Sequence, residues 1–279
     1  MGDRRDADTN LILKGAETID LQEEGSHGVL LLHGFGDTPQ TLSLLARRLH
    51  KAGYSVYAPL LPGHGRTMEA FNRSGADQWI DAAKQAMLST GERSDGISIV
   101  GLSMGGALAV LLAAEDHATS ALVLIAPYLG MPRRLRFAAA THWLWGGLVG
   151  EINARNPRSI RDAIERERNL AYGSVTGRTL FELSKVVRRA RKALGRVTAP
   201  TVIIQSREDP RVSPRVAEFA LHEIGATEKQ LIWTEGAGHI ITVDYGRERV
   251  FSEVERWLRL YAHRGRQPLL TSKAAVERP

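Results

Sequence analysis

Short apolar runs alternate with amphipathic stretches through much of the chain. Apolar runs without a polar period are typical of strands buried on both faces of a sheet. The stretches between them, such as residues 38–52 and 76–90, repeat apolar residues three and four positions apart, which predicts helices. Strands that alternate with helices predict a doubly wound, mostly parallel sheet. Candidate strands lie at residues 28–32, 54–59, 97–100, 121–126, 200–205 and 230–233, with an edge strand or hairpin at 11–19.

The alternation stops in the middle of the chain and later resumes. In the interruption only helix-like patterns occur, at residues 138–149, 158–170 and 180–194. We therefore expect one core domain with an all-helical insertion, and polar tails that are flexible. The expected units are the core domain at residues 10–127 and 198–263, the insertion at 128–197 and the tails at 1–9 and 264–279.

The composition excludes several kinds of site and partner. The chain has no cysteine, so it has no disulfide framework, no cysteine-ligated zinc and no thiol nucleophile. Its net charge of +6 would suit an anionic partner, either a nucleic acid or an anionic surface. Residues 131–196 hold 15 Lys and Arg against 5 Asp and Glu, so the basic excess belongs to the insertion. Acids and bases alternate there without any nucleic-acid motif, so we expect no nucleic-acid partner.

The charged N-terminus lacks the apolar segment of a secretory signal. Every apolar run is also much shorter than the roughly 18 residues that a membrane-spanning helix needs. We therefore expect a soluble, cytoplasmic protein.

The stretch Gly101-Leu102-Ser103-Met104-Gly105-Gly106 lies between a candidate strand and an apolar candidate helix. A serine in this setting, flanked by glycines that relieve crowding, is typical of a nucleophile elbow. Alone, the pattern also fits a glycine-rich turn with an N-cap serine. The choice depends on whether an oxyanion hole precedes Ser103 and whether a carboxylate and a histidine follow it.

A carboxylate and a histidine with the required placement follow Ser103. Asp209 comes after the candidate strand at residues 200–205, and His239 lies in a glycine-flanked loop after another strand. Catalytic groups of open α/β sheets gather at the carboxyl ends of the strands, so we expect both near Ser103. Glu208 is a rival to Asp209, and the sequence leaves this choice open. Asp244, five residues after His239, has two interpretations, a carboxylate that supports the catalytic groups and a residue at a helix N-terminus, of which we expect the second.

An oxyanion hole is expected from two backbone N–H groups, those of Phe35 and Met104. Met104 follows the candidate nucleophile, and Phe35 lies in a loop after a buried strand. Because backbone donors impose no side-chain requirement, this prediction rests on position alone. His33, in the same loop, is expected to hold the loop by hydrogen bonds.

Together these motifs resemble those of the α/β-hydrolase superfamily, most closely its bacterial carboxylesterase and monoacylglycerol lipase group. The order Ser, Asp, His is the one that this fold uses. The resemblance covers about residues 26–262 and departs from the group at Ser206, where glycine often precedes the acid. The matching motifs are His33-Gly34-Phe35-Gly36, Pro62-Gly63-His64-Gly65, residues 101–106, Asp209-Pro210-Arg211-Val212 and Gly238-His239.

The resemblance implies an α/β-hydrolase fold and a serine hydrolase of short- to medium-chain acyl esters or monoacylglycerols, acting through an acyl-enzyme. Ser103 would be the nucleophile, His239 the base and Asp209 the acid that orients it. The amides of Phe35 and Met104 would hold the oxyanion, and no metal or organic cofactor is implied. The insertion would form a cap over Ser103. Its expected substrate-pocket residues are Trp143, Trp145, Leu180, Leu183 and Val187. Packing of the insertion against the core domain would explain the two tryptophans equally well.

Other interpretations stay open. The same triad serves amide, peptide and carbon–carbon bond hydrolysis and acyl transfer, so the catalytic residues do not separate these reactions. A non-enzymatic protein that binds a hydrophobic ligand is a different class, although such proteins commonly lose a triad member. The tryptophans and arginines of the insertion also suit a peripheral contact with a lipid surface. The sequence does not indicate an oligomeric state.

Overall fold

The structure, a computed structural model, describes residues 11–262, with only the backbone described at Leu148. The two predicted flexible tails, residues 1–9 and 264–279, lie outside the described residues. None of the helices in the described part of the chain is long and apolar enough to cross a membrane.

A seven-stranded sheet forms the centre of the molecule, in the order β1-β3-β2-β4-β5-β8-β9. Every neighbouring pair is parallel except the edge pair β1–β3. The central strands β2, β4, β5 and β8 are buried along their whole length, which explains their continuous apolar sequences. The strands are β1 (Ile19–Leu21), β2 (Gly28–Leu32), β3 (Ser55–Ala58), β4 (Ile97–Leu102), β5 (Ala121–Ile125), β6 (Glu151–Asn153), β7 (Ser174–Thr176), β8 (Thr201–Ser206) and β9 (Lys229–Thr234).

Helices cover both faces of this sheet, as the alternation of patterns predicts. Helices α1 and α10 pack on one face, and α3, α4, α8 and α9 pack on the other. The doubly wound α/β fold is therefore confirmed. The helices are α1 (Ser43–Lys51), α2 (Met68–Arg73), α3 (Ala76–Glu92), α4 (Met104–Glu115), α5 (Arg133–Ala140), α6 (His142–Val149), α7 (Ala163–Arg168), α8 (Gly177–Ala193), α9 (Pro214–Glu223) and α10 (Arg247–Tyr261).

The insertion differs from the expected all-helical segment. Strands β6 and β7 form a short antiparallel pair, which brings Glu151 opposite Thr176. Gly150, with φ of 61°, ends α6 just before β6. The predicted helix at residues 158–170 is also shorter, because the Asp162 side chain accepts hydrogen bonds from the N–H groups of Ile164 and Glu165 and starts α7 there.

Helix α8 joins the insertion to the core. It packs directly against α4, the helix that follows Ser103. Its first turn is fixed by a capping box between Thr176 and Thr179. The amphipathic pattern that predicts this helix thus reflects a face buried against the core domain.

Candidate active site

The turn at Ser103 has a backbone that few residues adopt. Its φ and ψ are 56° and −116°, and its N–H donates to the carbonyl of Ile125 at 2.9 Å. A Cβ at Gly101 would collide with the backbone of Gly105, and one at Gly105 would collide with the carbonyl of Leu32. The glycines therefore allow β4, α4 and β2 to approach closely, and strain at such a position is characteristic of functional sites.

Two hydrogen bonds connect the candidate acid, base and nucleophile. The Oγ of Ser103 lies 2.9 Å from Nε2 of His239, and Nδ1 of His239 lies 2.7 Å from Oδ2 of Asp209. Ser103 is 9% exposed and His239 is 7% exposed, so both are nearly closed off from solvent. With the proton on Nδ1 donated to Asp209, Nε2 is left to accept the proton of the serine hydroxyl.

Asp209 is held as an ionised acceptor. Burial alone would raise the pKa of Asp209, but the charge of His239 and hydrogen bonds to the carboxylate outweigh burial and hold the pKa below its ordinary value. The N–H groups of Arg211 and Val212 donate to Oδ1, at 2.7 and 2.9 Å. Glu208, its rival in the sequence, turns outward and pairs with Arg161 instead.

The loop after β2 lies directly against Ser103. A Cβ at Gly34 would stand 3.4 Å from that of Ser103. In the described part of the chain, the N–H groups of Phe35 and Met104 donate to no acceptor. His33 fixes this loop, because its Nδ1 donates to the Gly34 carbonyl at 2.9 Å and its Nε2 accepts from Leu61 at 3.1 Å. Burial lowers the pKa of His33 to about 4, so its ring is neutral.

The five expected pocket residues have different surroundings. Trp143 is 73% exposed and lines an open surface groove of about 680 Å³, and its role in substrate binding stays a prediction. Its neighbour Trp145 packs at the start of α8 and donates from Nε1 to the Ala138 carbonyl. Leu180, Leu183 and Val187 are buried between α8 and the core, and a role in substrate binding stays a prediction for them.

Some contacts near the site were not predicted from the sequence. Ser206 accepts from the Glu208 N–H and donates to the Ala237 carbonyl at 2.7 Å, joining the acid and histidine loops. Ser159 joins the insertion to both loops. Asp244 lies three positions before the first residue of α10, close to the helix N-terminus where it was expected, and its side chain is buried. Ser206 carried a signal in its departure from the glycine of the resembling group, and Asp244 carried one in its place five residues after His239. The other contacts depend on chain segments far apart in sequence.

Comparisons with known proteins find relatives among hydrolases. A family profile described as serine aminopeptidase, S33, matches residues 24–245. A thermostable monoacylglycerol lipase of Bacillus sp. (strain H-257) is 32% identical over 251 residues, which are 90% of this chain and 96% of that protein. A carboxylesterase of Bacillus subtilis (strain 168) is 25% identical over 237 residues, which are 84% of this chain and 93% of that protein.

Solved structures show the same likeness. A structure described with LipS and LipT, two metagenome-derived lipolytic enzymes, superposes with a TM-score of 0.82 at 32% identity, covering 90% of this chain and 100% of that one. The monoacylglycerol lipase of Paleococcus ferrophilus superposes with a TM-score of 0.72 over 86% of this chain and 97% of that one. At 21% identity, the second likeness concerns the fold alone.

Proposed function

The chain belongs to the serine aminopeptidase S33 family of α/β-hydrolases, and on that premise we propose that Ser103, His239 and Asp209 form the catalytic triad of an ester hydrolase. Its relatives place it with serine hydrolases of the carboxylesterase and monoacylglycerol lipase type. The observation that carries the proposal is the hydrogen-bonded series from Asp209 through His239 to Ser103. Short- to medium-chain acyl esters and monoacylglycerols are the proposed substrates.

The reaction follows from the positions of these groups. His239 Nε2 takes the hydroxyl proton as Ser103 Oγ bonds to the ester carbonyl carbon, and the N–H groups of Phe35 and Met104 stabilise the resulting oxyanion. The tetrahedral intermediate breaks its bond to the alkoxy oxygen, which leaves as the alcohol with the proton from His239. Water then attacks the acyl-enzyme while His239 takes its proton. The acid is released when the bond to Oγ breaks, and the proton returns to Ser103.

We also propose that residues 128–197 form the cap over this site. Ser103 and His239 are nearly closed off from solvent, and the carbonyl of Ser159 in the insertion accepts from the His239 N–H at 2.8 Å. A closed site excludes water, which strengthens the electrostatic stabilisation of the oxyanion. Entry of an ester therefore requires part of the insertion to move.

The outer surface of the insertion is the proposed contact with a lipid surface. Helices α5 and α6 expose large apolar side chains beside three arginines, and residues 131–150 contain no acid. An amphipathic, basic surface of this kind suits the boundary between water and anionic lipid. The exposed side chains are Leu135, Phe137, Trp143, Leu144 and Val149, and the arginines are Arg133, Arg134 and Arg136.

The test compares Ser103→Ala with the unchanged protein on p-nitrophenyl esters from acetate to palmitate, on a monoacylglycerol and on a matching p-nitroanilide. We expect ester turnover to fall by roughly 10⁴- to 10⁶-fold, because the nucleophile is lost while the fold is kept. Ser252→Ala is the matched control, since Ser252 is exposed on α10 and bonds only its own helix within the described residues. Its turnover should stay unchanged.

Each outcome has a distinct meaning. Undiminished ester turnover by Ser103→Ala would remove Ser103 from the mechanism. Preference for the anilide over the matching ester would favour amide chemistry on the same triad. A maximum at short or medium acyl chains indicates a carboxylesterase, whereas preference for the monoacylglycerol indicates a lipase.

A further inference from the structure

Asp244 is a buried carboxylate without an ion-pair partner among the described residues. Its side chain is fully buried, yet no lysine, arginine or histidine of the described chain lies within ion-pairing distance. Four backbone N–H groups surround it instead. Gly238 and Arg161 donate to Oδ2 at 2.7 and 2.9 Å, and Asp162 and Tyr245 donate to Oδ1 at 2.8 and 2.9 Å. Several amide donors stabilise a buried carboxylate in place of a cation.

These four donors come from three parts of the chain. Gly238 immediately precedes His239, Arg161 and Asp162 belong to the insertion, and Tyr245 lies ahead of α10. Asp244 therefore ties the histidine loop to the insertion through its two carboxylate oxygens. A Cβ at Gly238 would collide with the carbonyl of Arg158, so the two backbones are in direct contact at this point.

The same stretch of the insertion also contacts His239 and the acid loop. The carbonyl of Ser159 accepts from the N–H groups of His239 and Ile240, at 2.8 and 2.9 Å. The Oγ of Ser159 accepts from Nε of Arg211 at 2.9 Å, and the Arg211 N–H in turn donates to Asp209. Residues 157–162, here called the bridging segment, thus join the loops that carry the base and the acid.

We propose that Asp244 is a positioning residue, which holds the bridging segment against Gly238 and so keeps His239 aligned between Ser103 and Asp209. The inference rests on the proposed function, since it concerns the alignment of that triad. Asp244 does not touch the reacting atoms, and its effect reaches them through the backbone at Gly238 and Ser159. A displacement of about 1 Å at a catalytic group can cost about 100-fold in rate, so such a tether affects turnover.

The test uses Asp244→Asn and Asp244→Ala in the full chain. The asparagine oxygen can replace only one carboxylate oxygen, and its NH₂ group then faces two N–H donors. The alanine removes all four acceptor contacts. We expect kcat for p-nitrophenyl butyrate to fall about 10-fold with asparagine and about 100-fold with alanine, with KM changed less than about twofold. The downfield NMR resonance of the His239 Nδ1 proton, hydrogen-bonded to Asp209, should weaken in both.

The matched control is Glu255→Gln, which removes the charge of a buried carboxylate that pairs with Arg48. This ion pair lies on the opposite side of the sheet from α4. It should lower the unfolding temperature but leave kcat and the His239 resonance unchanged. All proteins are assayed well below their unfolding temperatures. Should alanine prevent folding, asparagine decides the question.

Unchanged kcat and an unchanged resonance in folded Asp244→Asn would overturn the positioning role, as would a rise in KM alone. Failure of the underlying function gives a different result, because Ser103→Ala would then retain ester turnover whatever happens at Asp244.

Discussion

The turn at Ser103 and the bridging segment both align the same three side chains, but by opposite means. At the turn, Gly101 and Gly105 admit close backbone approach within a few residues of the serine. The bridging segment acts across long stretches of chain, such as the 83 positions between Arg161 and Asp244. A motif is visible in the first case because the required glycines, Gly101 and Gly105, both lie two positions from Ser103. In the second case only the folded chain brings the interacting residues together.

The largest expected effect comes from a substitution in the turn at Ser103. Gly105→Ala places a methyl group against the Leu32 carbonyl, so α4 must move away from β2. We expect the free energy of unfolding to fall by more than about 3 kcal/mol, because overpacking at a backbone contact cannot relax cheaply. Ester turnover should fall with it. Thermal unfolding and the p-nitrophenyl butyrate assay measure the two effects.

Gly91→Ala is the matched control for that change. Gly91 lies in α3, and a Cβ there would meet nothing within 4 Å. Alanine should therefore raise stability slightly, by about 0.5 kcal/mol, since it restricts the unfolded chain. Equal stability losses at the two glycines would show that the close approach at Gly105 is not what the turn requires.

The sequence predicts features that depend on local patterns better than features that depend on contacts between distant segments. The central strands and most of the core helices are predicted within a few residues, because burial on both faces of a sheet imposes a continuous apolar pattern. Ser103, Asp209 and His239, the proposed triad, are predicted from glycines and strand ends in the sequence. The choice of Asp209 over Glu208 needed the fold, since only the chain direction after β8 decides which carboxylate faces His239.

The insertion was harder to predict for a physical reason. Its strands β6 and β7 are three residues each, too short for a periodic pattern. Trp143 was expected in a pocket because the resemblance implies a cap with an apolar face, and the sequence does not indicate that its side chain is 73% exposed. For Asp244 the sequence offered two interpretations, a helix terminus and a carboxylate that supports the catalytic groups, and it did not show which groups the side chain contacts. Its four donors are assembled only by tertiary contacts.

A second prediction compares the face of the insertion buried against the core with its exposed outer face on α5 and α6. Leu183→Ala removes a buried side chain of α8, and we expect the free energy of unfolding to fall by about 3 kcal/mol. Leu144→Ala, the same change at an exposed position of α6, should alter it by less than about 0.5 kcal/mol. Urea unfolding of the two variants measures both values.

Vesicle binding tests whether the outer face of the insertion contacts a lipid surface. The unchanged protein should sediment with phosphatidylglycerol vesicles more than with phosphatidylcholine vesicles, because the exposed arginines favour an anionic surface. Leu144→Ala combined with Trp143→Ala should reduce that binding several-fold, while Leu183→Ala should not. Vesicle binding that is insensitive to the outer pair would contradict the proposed lipid contact.

An effect smaller than that of Leu183→Ala is expected where the core loop meets the insertion, at Asp37. Burial raises the pKa of Asp37 to about 6, although hydrogen bonds from Thr38 and Thr41 partly oppose the shift. The insertion covers this loop through Gln40, whose side chain donates to the Arg168 carbonyl and accepts from the Leu170 N–H. A carboxyl group is thus kept in a place where its charged form is disfavoured.

The sign of the effect on stability follows from this shift. Between about pH 4 and pH 6 the folded protein holds a proton on Asp37 that the unfolded chain has released, so ionisation of Asp37 lowers stability as the pH rises through that range. Asp37→Asn removes the ionisation. We expect the variant to be more stable by about 2 kcal/mol at pH 8, with the difference shrinking as the pH falls to 4. Urea unfolding of both proteins across this range measures the difference, and a gap that does not change with pH would mean that Asp37 is no less ionised in the folded protein than in the unfolded chain.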